Sequence, residues 1–183
     1  GGKEKVWVRF YWTGIGYGWY VDDVAIVKQP DNDIVLKSGW ITPDAAGLEY
    51  GRIPASQMSN TLTFGGEVFN FGVNNQTNIK VNAKVYDESN NEIFAVLASK
   101  DALEKDSTSA ISNEINDFTP LAVGNYKLSV TASSILDNNS GELFTDNSYN
   151  RNFAVTENLY SLDGLGVYDI EQLQIGSVGT TSI

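Results

Sequence analysis

The sequence predicts an all-β protein, an antiparallel β-sandwich. Its clearest element is the run from Asn78 to Asp87, in which apolar and polar side chains alternate without a break. A period of two buries one face of a strand and leaves the other in solvent. A second run, Leu62–Phe71, precedes it, and a polar turn with glycine and paired asparagines joins the two. Two strands connected in this way predict an antiparallel pair on which the rest of the sandwich is built.

The composition is that of a folded domain. The 183 residues are 42% hydrophobic and 11% aromatic, which is enough for a core and argues against global disorder. The net charge of -11 has the wrong sign for a nucleic-acid backbone or an anionic membrane. No apolar run approaches the roughly 18 residues of a membrane span. We therefore expect no nucleic-acid partner and no membrane insertion; the acidity fits either solubility or the binding of divalent cations.

Two residue types that carry much protein chemistry are missing. The chain has no cysteine and no histidine. This excludes disulfides, thiolate catalysis, cysteine-ligated metals, a Ser-His-Asp triad and the common transition-metal sites. We therefore expect no enzyme activity in these residues, although a longer parent protein could carry a catalytic domain.

The first 30 residues predict a β-hairpin. Residues 4–12 and 19–27 both alternate, and a loop with three glycines joins them. The sequence Trp-Tyr-Val-Asp-Asp-Val-Ala-Ile of residues 19–26 resembles the final strand of jelly-roll modules of the MAM-like and carbohydrate-binding kind. We therefore interpret residues 1–30 as the C-terminal strands of a jelly-roll-like domain whose earlier strands lie elsewhere.

The remaining chain divides into three parts. We interpret residues 31–52 as an irregular linker with short edge strands and residues 53–158 as an immunoglobulin-like sandwich. Residues 159–183 are interpreted as a linker and the start of a following module. On this interpretation the chain is an excerpt of a longer polypeptide. Ala98–Asp106 is a weak helix candidate. The predicted strands of the sandwich are Leu62–Phe71, Asn78–Asp87, Ile93–Ser99, Thr108–Ile115, Asn125–Ser133 and Arg151–Glu157.

Several short motifs of the sandwich occur in an order typical of one group of modules. They are Val68–Gly72, Phe118–Pro120, Gly124–Val130, Asp146–Asn150 and Phe153–Val155. In this respect the chain resembles CARDB-type (cell-adhesion-related bacterial) and fibronectin type III-like modules. With the jelly-roll hairpin, it resembles large multidomain surface or secreted proteins of Bacteroidota that leave the cell by the type IX route. The resemblance implies an extracellular location, with neighbouring domains of the same chain, glycans or other surface proteins as partners.

Asp22 and Asp23 are the first candidate site. They are consecutive carboxylates in an apolar strand, so one of them faces inward, where an unpaired charge is costly. In the jelly-roll modules that this segment resembles, a carboxylate at the Asp22 position ligates a structural calcium ion. The alternative is that the inward carboxylate caps loop amides or pairs with Arg9.

Three further features have a functional and a structural interpretation. Tyr17 and Trp19 lie by the glycine-rich loop and could stack a sugar, or they pack in a core or domain interface. Ser107 lies in a short Asp-Ser-Thr pattern typical of O-glycosylation in Bacteroidota. The oxygen-rich stretches 31–33 and 137–147 have residues that calcium loops use, but we favour a solvated linker for the first and Asx turns for the second.

Three functions are compatible with these features. The first is a non-catalytic structural or adhesive module of a large secreted or cell-surface bacterial protein. The second is a carbohydrate-binding accessory module of a secreted hydrolase. The third is a filament subunit that completes its N-terminal sheet with strands from the next copy.

Overall fold

The computed structural model describes most of the predicted sandwich and short parts of the flanking chain. The described residues are 7–11, 13–14, 28–42, 51–116, 119, 121–137 and 146–161. They contain eight strands and one short 3-10 turn, Ala55–Gln57. No helix in this part of the chain is long and apolar enough to cross a membrane.

The strands form two sheets. They are β1 (Ile34–Thr42), β2 (Arg52–Pro54), β3 (Leu62–Asn70), β4 (Gln76–Tyr86), β5 (Glu92–Leu103), β6 (Thr108–Ile115), β7 (Gly124–Ser133) and β8 (Ser148–Thr156). A three-stranded sheet has the order β1-β3-β6, and a five-stranded sheet has the order β2-β8-β7-β4-β5. All pairs are antiparallel except β2 with β8. The chain changes sheet at five connections, namely β1 to β2, β2 to β3, β3 to β4, β5 to β6 and β6 to β7, which makes the fold a sandwich. The predicted antiparallel pairing of the strands on either side of the polar turn is therefore wrong, because that turn carries the chain from one sheet to the other: β3 pairs with β1 and β6, and β4 pairs with β5 and β7.

The core lies between the sheets and is built by the alternation seen in the sequence. Ile79, Val81 and Val85 on β4 are at most 1% exposed, which confirms the predicted inward face. They lie on an inner strand of the five-stranded sheet, because β4 pairs with both β5 and β7. The largest fully buried side chains from the other strands are Phe64, Phe153, Ile34, Ile53, Leu62, Leu128, Val68 and Val130.

One local feature is typical of immunoglobulin-like sandwiches. Tyr126, near the start of β7, donates its hydroxyl hydrogen bond to the carbonyl oxygen of Ala122 at 2.8 Å. Its ring stacks on Phe153 of the neighbouring strand with the ring centres 5.5 Å apart. A tyrosine that bonds back to the chain a few residues upstream is the tyrosine corner of this fold. The all-β, immunoglobulin-like fold class is therefore confirmed.

The six predicted strands of the sandwich are present, but the predicted helix is wrong. Residues 98–103 of the candidate Ala98–Asp106 continue β5, which pairs with β4 as far as Gln76 opposite Leu103. The last residues form a turn in which Asp106 has a φ of 57°. A helix of nine residues is marginal by itself, whereas continuing β5 extends its ladder of main-chain hydrogen bonds with β4.

Strand β1 lies within the stretch that the sequence assigned to a linker. It runs for nine residues and pairs with β3 along its length. The sandwich therefore begins at Ile34, ahead of the boundary at residue 53. β1 and β2 are both edge strands, as expected for this stretch, but β1 is not short.

The N-terminal hairpin can be compared only at residues 7–11 and 13–14. These residues form no strand, and Trp7 is 88% exposed. The rest of the predicted hairpin, including all of residues 19–27, lies outside the described residues, so the hairpin stays a prediction.

Candidate functional site

The structure describes only one of the residues predicted as sites. Asp22, Asp23, Tyr17 and Trp19 lie outside the described residues. Ser107 lies in the connection between β5 and β6, is half-buried, and its hydroxyl lies 3.5 Å from the carbonyl oxygen of Lys105. Its own carbonyl accepts a hydrogen bond from the N–H of Asn70. The O-glycosylation of Ser107 stays a prediction.

A polar site lies at the end of the sandwich where β1 begins, and it combines residues of the two oxygen-rich stretches that the sequence analysis interpreted as a linker and as Asx turns. Three aspartates from distant parts of the chain lie near one another there: Asp33 just before β1, Asp137 after β7 and Asp146 just before β8. We call these three residues the carboxylate cluster. Asp33 is 6% exposed and Asp137 is 9% exposed.

Asp33 is held in place by the docking of the residues before β1. The N–H groups of Phe71 and Gly72 both donate to the carbonyl oxygen of Asp33 at 3.0 Å. The N–H of Asn74 donates to the carbonyl of Asp31 at 3.1 Å. We call residues 28–33 the incoming segment; it is bonded along the turn between β3 and β4 and is not a free linker.

Gly72 allows this docking because it has no side chain. A Cβ atom at Gly72 would lie 2.7 Å from the main-chain nitrogen of Asp33 and 3.0 Å from Cα of Asn32. Real Cβ atoms do not approach backbone this closely. The glycine in this turn is therefore required by the close approach of the incoming segment.

A chain of hydrogen bonds runs from the incoming segment to Asp137. Gln76, which is fully buried, donates from Nε2 to Oδ1 of Asn32 at 3.2 Å. Its Oε1 accepts a bond of 2.7 Å from the hydroxyl of Ser134. The N–H of Asp137 in turn donates to Oγ of Ser134 at 3.1 Å. These bonds fix the chain after β7 relative to the start of β1.

The position of Gln76 depends on an irregularity in β4. Asn78 has a φ of 52°, a left-handed conformation that asparagine tolerates better than most residues. Gln76 and Ile79 are both buried, although a regular strand would place them on opposite faces. The left-handed residue therefore turns the strand so that a polar side chain points inward at its end.

Asp137 accepts two hydrogen bonds on one of its carboxylate oxygens. Its Oδ2 accepts hydrogen bonds from the N–H of Ile34 at 3.3 Å and from Nδ2 of Asn147 at 3.1 Å. The N–H of Leu36 donates to the carbonyl of Asp146 at 2.9 Å. These bonds join the start of β1 to both ends of the connection between β7 and β8.

The other two carboxyl groups are in a less favourable environment. Burial raises the pKa of Asp33 to about 6, and the negative charges of Asp146 and Asp137 add to the effect. Burial also raises the pKa of Asp146; a hydrogen bond from its own main-chain N–H opposes this rise, and the charge of Asp137 adds to it. Oδ1 of Asp33 and Oδ1 of Asp146 are buried and accept no hydrogen bond from the described residues. Two buried carboxylate oxygens thus lack the partners that normally offset the loss of water.

The interpretation of residues 31–33 as a solvated linker is wrong for Asp33 and correct for Asp31, whose side chain is 69% exposed. The oxygen-rich composition of residues 31–33 and 137–147 was the only signal of this site in the sequence. The contact between the two stretches follows from the topology of the sandwich. Within the described residues, no three carboxylates are arranged to hold a metal ion. The arrangement can bind a cation only with fewer carboxylates and with other oxygen ligands.

Comparison with known proteins gives likenesses of structure only. No protein-family model and no curated protein matches the sequence. A CARDB domain from Pyrococcus furiosus, solved in complex with di-metal ions, aligns with a TM-score of 0.46 and 14% identity over 71% of this chain and 98% of that one. A domain from a Methanosarcina acetivorans protein described as a cell-surface protein aligns with a TM-score of 0.42 and 16% identity over 69% and 94% of the two chains.

A third likeness is to part of an enzyme. A Bacteroides uniformis β-glucuronidase aligns with a TM-score of 0.42 and 16% identity over 64% of this chain but only 13% of its own. A CARDB domain is thus among the solved structures similar to this chain. At such low identities, we transfer no ligand, activity or residue role from these proteins.

Proposed function

We propose that this chain is a non-catalytic structural module that acts as a spacer in a secreted or cell-surface bacterial protein. One observation carries the proposal: the chain enters and leaves the sandwich at opposite ends. A domain with this arrangement separates its neighbours by its own length, whereas a domain with adjacent ends adds little distance between them.

The direction of the first and last long strands supports this. The N–H of Leu36 bonds to the carbonyl of Asp146, so β1 and β8 begin side by side. Further along, Gly39 of β1 lies against the ring of Tyr149 of β8, so the two strands run in the same direction. β8 ends at Thr156 beside Pro54 of β2, and the chain then turns back and is still bonded to the sandwich at Ser161, which exchanges hydrogen bonds with Arg52 at the same end.

The length of β8 gives the separation of the two ends. At about 3.3 Å per residue, a strand of nine residues spans about 30 Å. The partners of such a module are the neighbouring domains of the same polypeptide. The extracellular location, the adhesive role and the export route in Bacteroidota are supported by the resemblance of the motifs to cell-adhesion-related modules.

Two other functions were compatible with the sequence. Sugar binding would use Tyr17 and Trp19, and a strand-exchanging filament would use the N-terminal hairpin. Both depend on residues outside the described part of the chain, and no observation within it favours either one.

Single-molecule force spectroscopy tests the spacer proposal. The chain has no native cysteine, so handles can be attached through Asp31→Cys and Glu157→Cys, both at exposed positions. We expect one cooperative unfolding event that lengthens the molecule by about 420 Å, because 157 − 31 = 126 residues at about 3.6 Å replace a native span of about 30 Å. Extension without a force peak would contradict a spacer that withstands tension.

A matched control uses handles at Asn74→Cys and Glu157→Cys. Asn74 is hydrogen-bonded to Asp31, so the native span is nearly the same. Only 157 − 74 = 83 residues are then stretched, and the gain should fall to about 270 Å. Equal increases in length in the two experiments would contradict the positions of residues 31, 74 and 157 in the structure.

A further inference from the structure

The carboxylate cluster contains an electrostatic imbalance that the spacer function does not explain. Asp33 and Asp146 each have a buried Oδ1 without a hydrogen-bond donor from the described residues, and Asp137 is a third negative charge beside them. Removing a carboxylate from water costs several kcal/mol unless a cation or several donors replace the water. Of the neighbouring polar groups, the amide of Gln76 is already bonded to Asn32 and to Ser134.

We propose that Asp33 and Asp146 bind a calcium ion at the end of the sandwich where β1 begins. The two free carboxylate oxygens supply the charged ligands, and main-chain or amide oxygens and water fill the remaining positions. Calcium commonly takes six to eight oxygen ligands of mixed type, so it does not need three carboxylates. The described residues contain no group of three carboxylates placed to hold a metal ion, so the site depends on these other oxygen ligands.

The choice of calcium follows from the ligands. With no histidine and no cysteine in the chain, only oxygen ligands are present, and these favour hard cations over zinc, copper or iron. Magnesium requires a nearly ideal octahedron and loses its water reluctantly. A site with two carboxylates on separate segments of the chain fits the larger and less demanding ion.

Asp137 has a positioning role in this site. Its Oδ2 is occupied by the N–H of Ile34 and the amide of Asn147, so it holds the start of β1 beside the start of β8. Its charge adds to the field that attracts the cation. An ion bound here would join the incoming segment to the connection between β7 and β8, which are more than 100 residues apart in sequence.

Calcium titration of the metal-depleted chain tests the proposal. We expect isothermal titration calorimetry in 150 mM salt to show calcium binding, and saturating calcium to raise Tm by about 5 °C or more. Magnesium at the same concentration should give less than half of that shift. Absence of a calcium-dependent shift at millimolar concentrations would overturn the proposal.

Two variants locate the site. Asp33→Asn and Asp146→Asn should each weaken calcium binding at least tenfold and abolish most of the Tm shift. Asp33→Asn should also be at least as stable as the parent without calcium, so a loss of binding cannot be attributed to unfolding. Asp31→Asn is the matched control, because Asp31 is exposed and pairs with Lys28. If Asp33→Asn keeps the full calcium shift, any calcium that binds does so elsewhere and the proposal is wrong.

Discussion

The hydroxyl of Tyr126 donates a hydrogen bond of 2.8 Å to the carbonyl oxygen of Ala122, which lies just before β7 on the same chain. The bond fixes the connection from β6 at the point where it enters the five-stranded sheet. Burial raises the pKa of Tyr126, and the nearby charges of Asp87 and Glu88 add to this, so the phenol stays protonated and can donate throughout the neutral range.

Tyr126→Phe should therefore lower the free energy of unfolding by about 1 kcal/mol, which is typical for the loss of one hydrogen bond whose ring contacts remain. Urea unfolding measures the change. Tyr160→Phe is the control, because Tyr160 is 48% exposed and should change stability by less than about 0.5 kcal/mol. Equal effects from the two substitutions would contradict a special role for the bond at Ala122.

Asp33→Asn should stabilise the calcium-free protein at pH 7 by up to about 3 kcal/mol, since a raised pKa means that the folded state disfavours the charged carboxylate. The pKa of Asp33 is about 6 in the folded protein against an ordinary value of 3.8. Between these values the folded state binds more protons, so the parent loses stability as the pH rises from about 4 to about 6 and then levels off.

Asparagine does not titrate at this position, so the free energy of unfolding of the variant should exceed that of the parent only slightly at pH 4 and most above pH 6. Urea unfolding at several pH values in calcium-depleted buffer measures the difference. A difference in the free energy of unfolding that is the same at every pH would show that the charge of Asp33 does not cause the stabilisation.

Gly72→Ala should destabilise the protein by about 1–3 kcal/mol, the usual cost of forcing an extra group into packed structure. The added methyl would meet the main chain of Asp33 at 2.7 Å, and a backbone atom cannot move aside as a flexible side chain can. Thermal or urea unfolding measures the loss, and hydrogen exchange of the Val73 and Asn74 amides should increase because the incoming segment separates from the turn.

Gly124→Ala is the matched control for this substitution. Its new methyl would have its nearest neighbour at 3.6 Å, an ordinary van der Waals distance. A small effect, or a slight gain from the reduced freedom of the unfolded chain, is expected. If Gly124→Ala costs as much as Gly72→Ala, the close approach to Asp33 is not what requires the glycine.

Asp87→Ala should lower Tm at pH 7 because Asp87 organises the turn between β4 and β5. Its carboxylate accepts bonds from the N–H of Ser89 at 2.9 Å and from the N–H of Asn91 at 2.8 Å. The bonds from Asn91 hold the pKa of Asp87 below its ordinary value. This contribution is present above the ordinary pKa and is lost as the pH falls through the folded value.

Differential scanning calorimetry at pH 7 and at pH 2 measures this dependence. The difference in Tm between Asp87→Ala and the parent should shrink at the lower pH. Asp101→Ala, at an exposed position of β5, is the control and should show little effect at either pH. A difference that persists at pH 2 would mean that the carboxylate does not act through its charge.

Alternation predicted the strands of the sandwich because β4 and β7 bury one face and expose the other. It did not identify β1 as part of the sandwich, since the register of β1 against β3 shifts between Leu36 and Ser38 and Gly39 follows at once. A bulge changes which side chains point inward, so the sequence of an irregular edge strand resembles that of a loop. β5 was predicted too short because its exposed end has no alternation, and only the ladder to β4 shows where it stops.

Sequence patterns could not predict the carboxylate cluster, for a different reason. Asp33 is separated from Asp137 and Asp146 by more than 100 residues, and no local pattern in the sequence reports a contact between such distant positions. Gln76 was assigned to a polar turn because nothing in its neighbours predicts that Asn78 adopts a left-handed conformation and turns it inward. Composition alone marked both acidic stretches as rich in oxygen.

The docking of the incoming segment has a mechanical consequence. A tether that joins a domain through a single flexible bond transmits tension but lets the domain rotate freely about the line of pull. Here the chain is bonded to the turn between β3 and β4 at successive residues before it enters β1. A neighbour attached at residue 29 would therefore pass twist as well as pull to the sandwich, and the two bodies would share an orientation in addition to a distance.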